Sequence, residues 1–259
     1  MERIRDTKSS GITGGALRTW GMLFLAVGIV GTGILQNRLL RLEEVSPQQL
    51  LEAMQSSSSV MMYATLALVM RALETCALPI FAFLLVEGAL HTANFRNYCL
   101  RVAGLAVLSE IPYNLAITGR AMELSSRNPA FGLLIALVML WLYGRFSGKS
   151  AARIFVRFLV TIAAFLWCTM LSVEYGGCLV FLTAVLWAFR EKPLIRNMAG
   201  AMAALLCTLS SMFFMAAPMG FLAVHFYNGE KGEQNRAVSY LAYPVLLLVV
   251  WLAGQFLLG

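Results

Sequence analysis

The sequence predicts an all-α polytopic membrane protein, a single bundle of about nine transmembrane helices (eight to ten) with a cytoplasmic N-terminus. Composition is the first observation behind this. Of 259 residues, 59% are hydrophobic and 13% charged, and the mean hydropathy is +0.75. A soluble chain carries about 25% charged residues, so there is too little ionic material here to coat a water-facing surface. The second observation is where the charge falls. The basic residues lie in short gaps between apolar runs, which reports topology and not a nucleic-acid patch, despite a net charge of +7. A disordered chain, a disulfide-stapled secreted domain and a conventional soluble enzyme are excluded. The five cysteines show no CxxC spacing and read as buried thiols, with no metal set.

Residues 1–15 read as a polar cytoplasmic tail and 16–259 as one transmembrane domain, with an extracytoplasmic or interfacial segment at 42–74. The first span covers Ala16–Leu39. Ser46-Pro47 then opens a short helix over Gln48–Met54, Ser as N-cap and Pro in the first turn, and the tract Ser56–Ser59 ends it. Val60–Val69 is apolar but bounded by Arg71 and Glu74, too short to cross, and reads as interfacial or re-entrant. The second span runs from near Thr75, through Pro79, to His91. Further spans follow at Tyr98–Thr118, Pro129–Phe146, Ile154–Val173, Tyr175–Phe189 and Val238–Leu257.

Asn197–Asn228 is long for one helix and short for two, with Ala216-Ala217-Pro218 breaking its middle. Charge chooses between the options. A single pass puts Lys231 and Arg236 on the opposite side from Arg190, Lys192 and Arg196, against the positive-inside bias, so two short passes or a broken hairpin fit better. The partner this implies is the lipid bilayer, and not nucleic acid.

Charged residues at membrane depth need a reason, because each costs about 2.5–3.5 kcal/mol on insertion scales. Glu87 and His91 are four apart on one helix face, so the carboxylate can orient the imidazole; as a pair they suit a catalytic general base or an interhelical hydrogen bond. Glu110 and Asn114 share a face around Pro112, near Tyr113, as a substrate-facing kink or a packing lock. Glu174-Tyr175-Gly176-Gly177 reads as a tight outer turn, Asn228-Gly229 as a cytoplasmic one, and His225 as structural. Tyr240 and Tyr243 suit either a site or an aromatic belt.

Taken in order, several strings resemble the TraX family of membrane proteins, named for the F-pilin N-acetylase. They are Ala77-Leu78-Pro79-Ile80-Phe81-Ala82-Phe83-Leu84-Leu85-Val86-Glu87-Gly88 with His91-Thr92, Ser109-Glu110-Ile111-Pro112-Tyr113, Asn128 before Phe131, Glu174-Tyr175-Gly176, Tyr227-Asn228-Gly229 with Lys231-Gly232, and Tyr240 with Tyr243-Pro244. The resemblance implies a membrane-embedded acetyltransferase with acetyl-CoA as donor and a pilin-like N-terminus or a cell-envelope group as acceptor. On that reading Glu87 and His91 are the base unit. Glu110, Tyr113, Asn114, Asn128, Glu174, Tyr175, Asn228, Tyr240 and Tyr243 meet substrate, and Arg96, Arg101, Lys231 and Arg236 meet the anionic cofactor. The chain departs from the family late in the first span, where members carry an Asp-His pair and this sequence reads Ala26-Val27-Gly28-Ile29-Val30-Gly31. Those glycines suit close helix packing instead. The departure motivates an alternative, a catalytically inactive scaffold or partner subunit; a small-molecule carrier is the third reading.

Overall fold

The computed structural model describes residues 11–42, 45–123, 125–148, 150–208, 216–232 and 236–258. Most of the predicted tail, residues 1–10, lies outside them. Among the described residues the chain is helical throughout its ordered elements, with two isolated bridges and no sheet. It is an all-α membrane protein. Among the described residues five helical units are long and apolar enough to cross a bilayer: Gly14–Leu39, Ser58–His91, Phe95–Thr118, Ala151–Met170 and Val238–Phe256.

Helix α1 (Gly14–Val30) continues into a π-helical stretch, Gly31–Leu39. A capping box follows: Ser46 Oγ accepts from Gln49 N while the Gln49 side chain accepts from Ser46 N, which starts α2 (Pro47–Ser56) as its sequence predicts. Helix α3 (Ser58–Thr75) differs from expectation. The apolar run Val60–Val69 is not an isolated half-length piece, because Arg71 and Glu74 do not end the helix; they turn inward and it runs on. After a break at Cys76, whose N–H donates to Leu73 O (3.1 Å), α4 (Ala77–His91) carries on. The 34 residues form one unit, so the second span begins at Ser58 and not near Thr75. Pro79 falls in the first turn of α4, where its missing N–H breaks nothing.

Helix α5 (Phe95–Thr118) packs against α6 and the last helix of the chain and tolerates Pro112. Helices α6 (Pro129–Arg145) and α8 (Gly176–Ala188) are shorter and start level with the middle of α5, since Asn128 Nδ2 donates to Ala106 O (2.9 Å) and a Cβ on Gly132 would lie 3.0 Å from Gly176 Cα. Irregular backbone at that depth must be satisfied by protein. The loops entering α6 and α8 do this for each other: Arg127 N donates to Ser172 O (2.9 Å) and Glu174 N to Arg127 O (3.0 Å). Helix α7 (Ala151–Met170) lies beside both, with Phe155, Phe158, Phe165 and Trp167 exposed as a lipid-facing side suits.

Helix α9 (Pro193–Thr208), a 3-10 turn (Ala217–Met219) and α10 (Gly220–His225) make the broken hairpin that charge and Pro218 predict. Its return arm starts beside the break in α4, where Cys76 Sγ donates to Ala216 O (3.1 Å), and ends near the start of α9. Helix α11 (Arg236–Leu258) closes the bundle against α5. Among the described residues nine apolar runs are thus present, though not nine full crossings.

One end of the bundle gathers the starts of α1, α5, α9 and α11 and the ends of α4 and α10, with Arg18, His91, Arg96, Arg101 and Arg196; it is called the basic end below. There the turn after α10 is fastened to the start of α1. Ile12 N donates to Phe226 O (2.7 Å) and Asn228 N to Ile12 O (3.0 Å), while Gly14 N and Gly15 N donate to Glu230 O (2.8 Å) and Lys231 O (3.0 Å). The first donors of α1, which no helical carbonyl serves, are satisfied this way.

Candidate functional site

A cavity of about 120 Å³ opens between α1, α4, α5, α6, α8 and α11. Its wall is apolar, with Met22, Leu25, Phe81, Leu84, Leu105 and Leu133 along it, and polar groups collect at its two ends. At the basic end stand Arg18, Tyr98, Ser239 and Tyr240, and the Arg101 guanidinium lies 5.9 Å from the centre of the Tyr240 ring. At the deep end stand Glu74, Tyr175 and Tyr243, beside Pro129 and Ala130 at the start of α6. The channel follows α5 from Tyr98 to Leu105, so it is on the order of 10 Å long by helical rise.

Packing explains why the floor is polar. Glu74 is 7% exposed and sits near the middle of the α3–α4 unit. It lies against Gly28 of α1, whose missing side chain leaves its volume. Tyr175 reaches the floor from a left-handed backbone (φ 55°) just before Gly176, a conformation that costs a non-glycine residue energy and is held by the surrounding contacts.

Around the floor, acids and bases pair off. Arg71 Nη2 donates to Glu174 Oε1 (3.2 Å) and its Nη1 to Thr32 Oγ1 (3.4 Å), while Tyr113 donates to the other Glu174 oxygen. Arg127 Nη1 donates to Glu110 Oε1 (3.3 Å), and Asn128 Nδ2 to Glu110 Oε2 (2.6 Å). Asn128 also caps α6, its Oδ1 accepting from Ala130 N (2.9 Å). Each of these two arginines has its own carboxylate. Asn114 is buried one turn from Glu110, with Oδ1 unpartnered.

Glu87 and His91 are not in this channel. They line a second, wider groove at the basic end with Arg196, Asn197, His225 and Tyr227. His91 Nδ1 is 2.9 Å from the Glu87 carbonyl oxygen and 3.5 Å from its carboxylate, and its side chain is 74% exposed. The carboxylate also faces Arg196 Nη1 at 3.7 Å, and the Arg196 guanidinium lies 4.7 Å from the centre of the Phe83 ring. Partial burial and the Glu87 charge raise the Tyr227 phenol above its ordinary value, with Arg196 opposing. Both histidines of the chain therefore face this groove, including His225, whose sequence reads as structural alone.

The residues that the sequence offers as one site thus fall into several places. Glu110, Tyr113, Asn128, Glu174, Tyr175 and Tyr243 meet around the channel floor, and Tyr240 and Arg101 stand at its mouth. Asn228 belongs to the turn fastened to α1, its Oδ1 accepting from Glu230 N (2.9 Å), and Lys231 sits in the same turn. Arg96 is exposed in the first turn of α5, and the Arg236 side chain lies outside the described residues. Sequence reasoning missed Arg18, Tyr98, Arg71 and Glu74. For the last two a signal existed: charges three apart within an apolar helix share a face, and here they served as the segment's boundary.

Residues 53–253 match the family model described as TraX protein, a stretch that runs from α2 into α11. Over 203 aligned residues the chain is 28% identical to the probable fimbrial assembly protein FimC, serogroup H1, of Dichelobacter nodosus, covering 70% of this chain and 80% of the relative. No solved structure matches. With its family strings placed on α4, α5, α6, α8 and α11 and in the turn after α10 of a membrane bundle, the chain belongs to the TraX family.

Proposed function

We propose that this protein is a membrane-embedded acyltransferase of the bacterial cytoplasmic membrane, taking an acetyl group from cytoplasmic acetyl-CoA and passing it to a pilin-like protein N-terminus or another envelope acceptor. The observation that carries this reading is the channel. An acyl-CoA is a polyanion with a long, mostly apolar arm ending in a thioester, and the channel joins a cationic mouth to a buried polar floor through apolar walls. At the mouth, Arg18 and Arg101 receive the phosphates. On the floor, the Tyr175 and Tyr243 phenols point donors at the oxygen on which charge develops as the thioester is attacked. The relative's name supplies the fimbrial context for the acceptor.

Binding tests it. Calorimetry on the detergent-purified chain is expected to show saturable acetyl-CoA binding. Replacing both Arg18 and Arg101 by Gln weakens acetyl-CoA and flattens its salt dependence, yet leaves S-acetyl-pantetheine, which lacks the phosphates, unaffected. Leu105→Trp, filling the channel's waist, lowers affinity about tenfold or more, while Leu108→Trp, on the exposed side of the same helix, does not. His91→Ala leaves donor affinity unchanged, because its groove is separate. Absence of binding in a folded, monodisperse sample favours the inactive scaffold.

A further inference from the structure

Glu74 is the buried acid that the pairing scheme leaves over. We infer that Glu74 is the acid–base catalytic residue of the transfer, resting on the donor-channel reading above. Among the described residues its carboxylate makes no hydrogen bond and no salt bridge, although the side chain is more than nine-tenths buried. The nearest guanidinium, Arg71, one turn earlier on α3, directs its hydrogen bonds to Glu174 and Thr32 and reaches Glu74 only through its charge. Arg127 is committed to Glu110. A buried carboxyl without a partner is expensive, and a chain does not keep one at the end of a cavity for packing alone, since a leucine fills the same space without the penalty.

Position gives the chemistry. Glu74 lies at the floor, the end of the channel away from the phosphate-binding mouth, beside the two phenols. A thioester carbonyl delivered there has the carboxylate beside it. The nucleophile's nitrogen or oxygen attacks the thioester carbon and a C–N or C–O bond forms. Its proton passes to Glu74, and the oxyanion is held by Tyr175 and Tyr243. The intermediate then collapses: the C–S bond breaks, the thiolate leaves, and Glu74 returns the proton to sulfur. Protons and electrons balance with no further reactant. The same position explains a sequence departure, because Gly28 leaves α1 with no side chain at this point and Glu74 of α3 occupies the space over it.

Three measurements on the full chain test this. The first is thiol release from acetyl-CoA with alaninamide, or a detergent extract of cell envelope, as acceptor. The second is calorimetric donor binding. The third is labelling by dicyclohexylcarbodiimide, which modifies protonated carboxyls in apolar surroundings. Glu74→Gln, which keeps the shape over Gly28, is expected to lower thiol release about 10²–10⁴-fold while donor affinity and thermal midpoint stay as in the wild type. Glu74→Asp recovers part of the rate. Carbodiimide labels Glu74 in the wild type, and acetyl-CoA protects it. Full transfer by Glu74→Gln, or donor binding with no thiol release by the wild type, overturns the acid–base role. Loss of donor binding in the wild type overturns the channel reading instead.

Discussion

Gly28→Ala is expected to unseat the first helix. A Cβ at this position meets the Glu74 side chain, with Glu74 Cγ and Cδ both at 2.5 Å, well inside van der Waals contact. Neither wall yields cheaply: α1 is fastened at its start, and the closest atom, Glu74 Cβ, is fixed to the α3 backbone. Overpacking of this kind costs about 1–3 kcal/mol and occasionally more. The thermal midpoint in detergent should fall, and donor binding should fall with it, because the displaced carboxylate swings into the channel. Gly28→Ala with Glu74→Gly removes the clash and is expected to restore most of the midpoint, less the roughly 1 kcal/mol that a helical glycine costs. An unchanged midpoint in Gly28→Ala alone would mean that α1 and α3 do not pack as described.

The second large effect is at Arg71. Arg71→Leu leaves Glu174 without its guanidinium and, among the described residues, with Tyr113 as its remaining side-chain hydrogen-bond partner. Breaking a buried pair by deleting one member costs about 3–5 kcal/mol, whereas replacing both members by apolar residues is often neutral. Side-chain exposures of 28% and 21% place this pair toward the lower part of that range. Arg71→Leu should therefore destabilise strongly, and Arg71→Leu with Glu174→Leu should recover most of the loss. A double-mutant cycle read by thermal unfolding measures the coupling, and additivity of the two single changes would show that the ion pair contributes nothing.

Much of the bundle is legible in the sequence because its signals are local. The Ser46–Gln49 capping box, the Asn128–Pro129 start of α6 and the break at Pro218 each depend on a few adjacent residues. Helix α3 is not legible in the same way. A charge in an apolar run reads as the end of that run, and only the packed bundle shows that Arg71 and Glu74 face other helices. The channel is still less accessible to sequence reasoning, since Arg18, Glu74, Tyr98, Tyr175 and Tyr243 come from five separate parts of the chain. Glu87 and His91 are the converse case. Their spacing is right for a base unit, and they do meet, yet they lie in a groove away from the channel.

The fastening of α1 to the turn after α10 also sets an order of events during synthesis. Helix α1 leaves the ribosome before the rest of the bundle, but the carbonyls that receive its first N–H groups belong to Glu230 and Lys231, made about two hundred residues later. At 5–20 residues per second the wait is roughly ten to forty seconds. Until then those donors must be met by water or headgroups at the membrane surface, so α1, made before the other described helices, is among the last to be finished. A ribosome stalled before α10 emerges would leave a nearly complete bundle with its opening helix still unlatched, and that intermediate is the one a membrane protease would find.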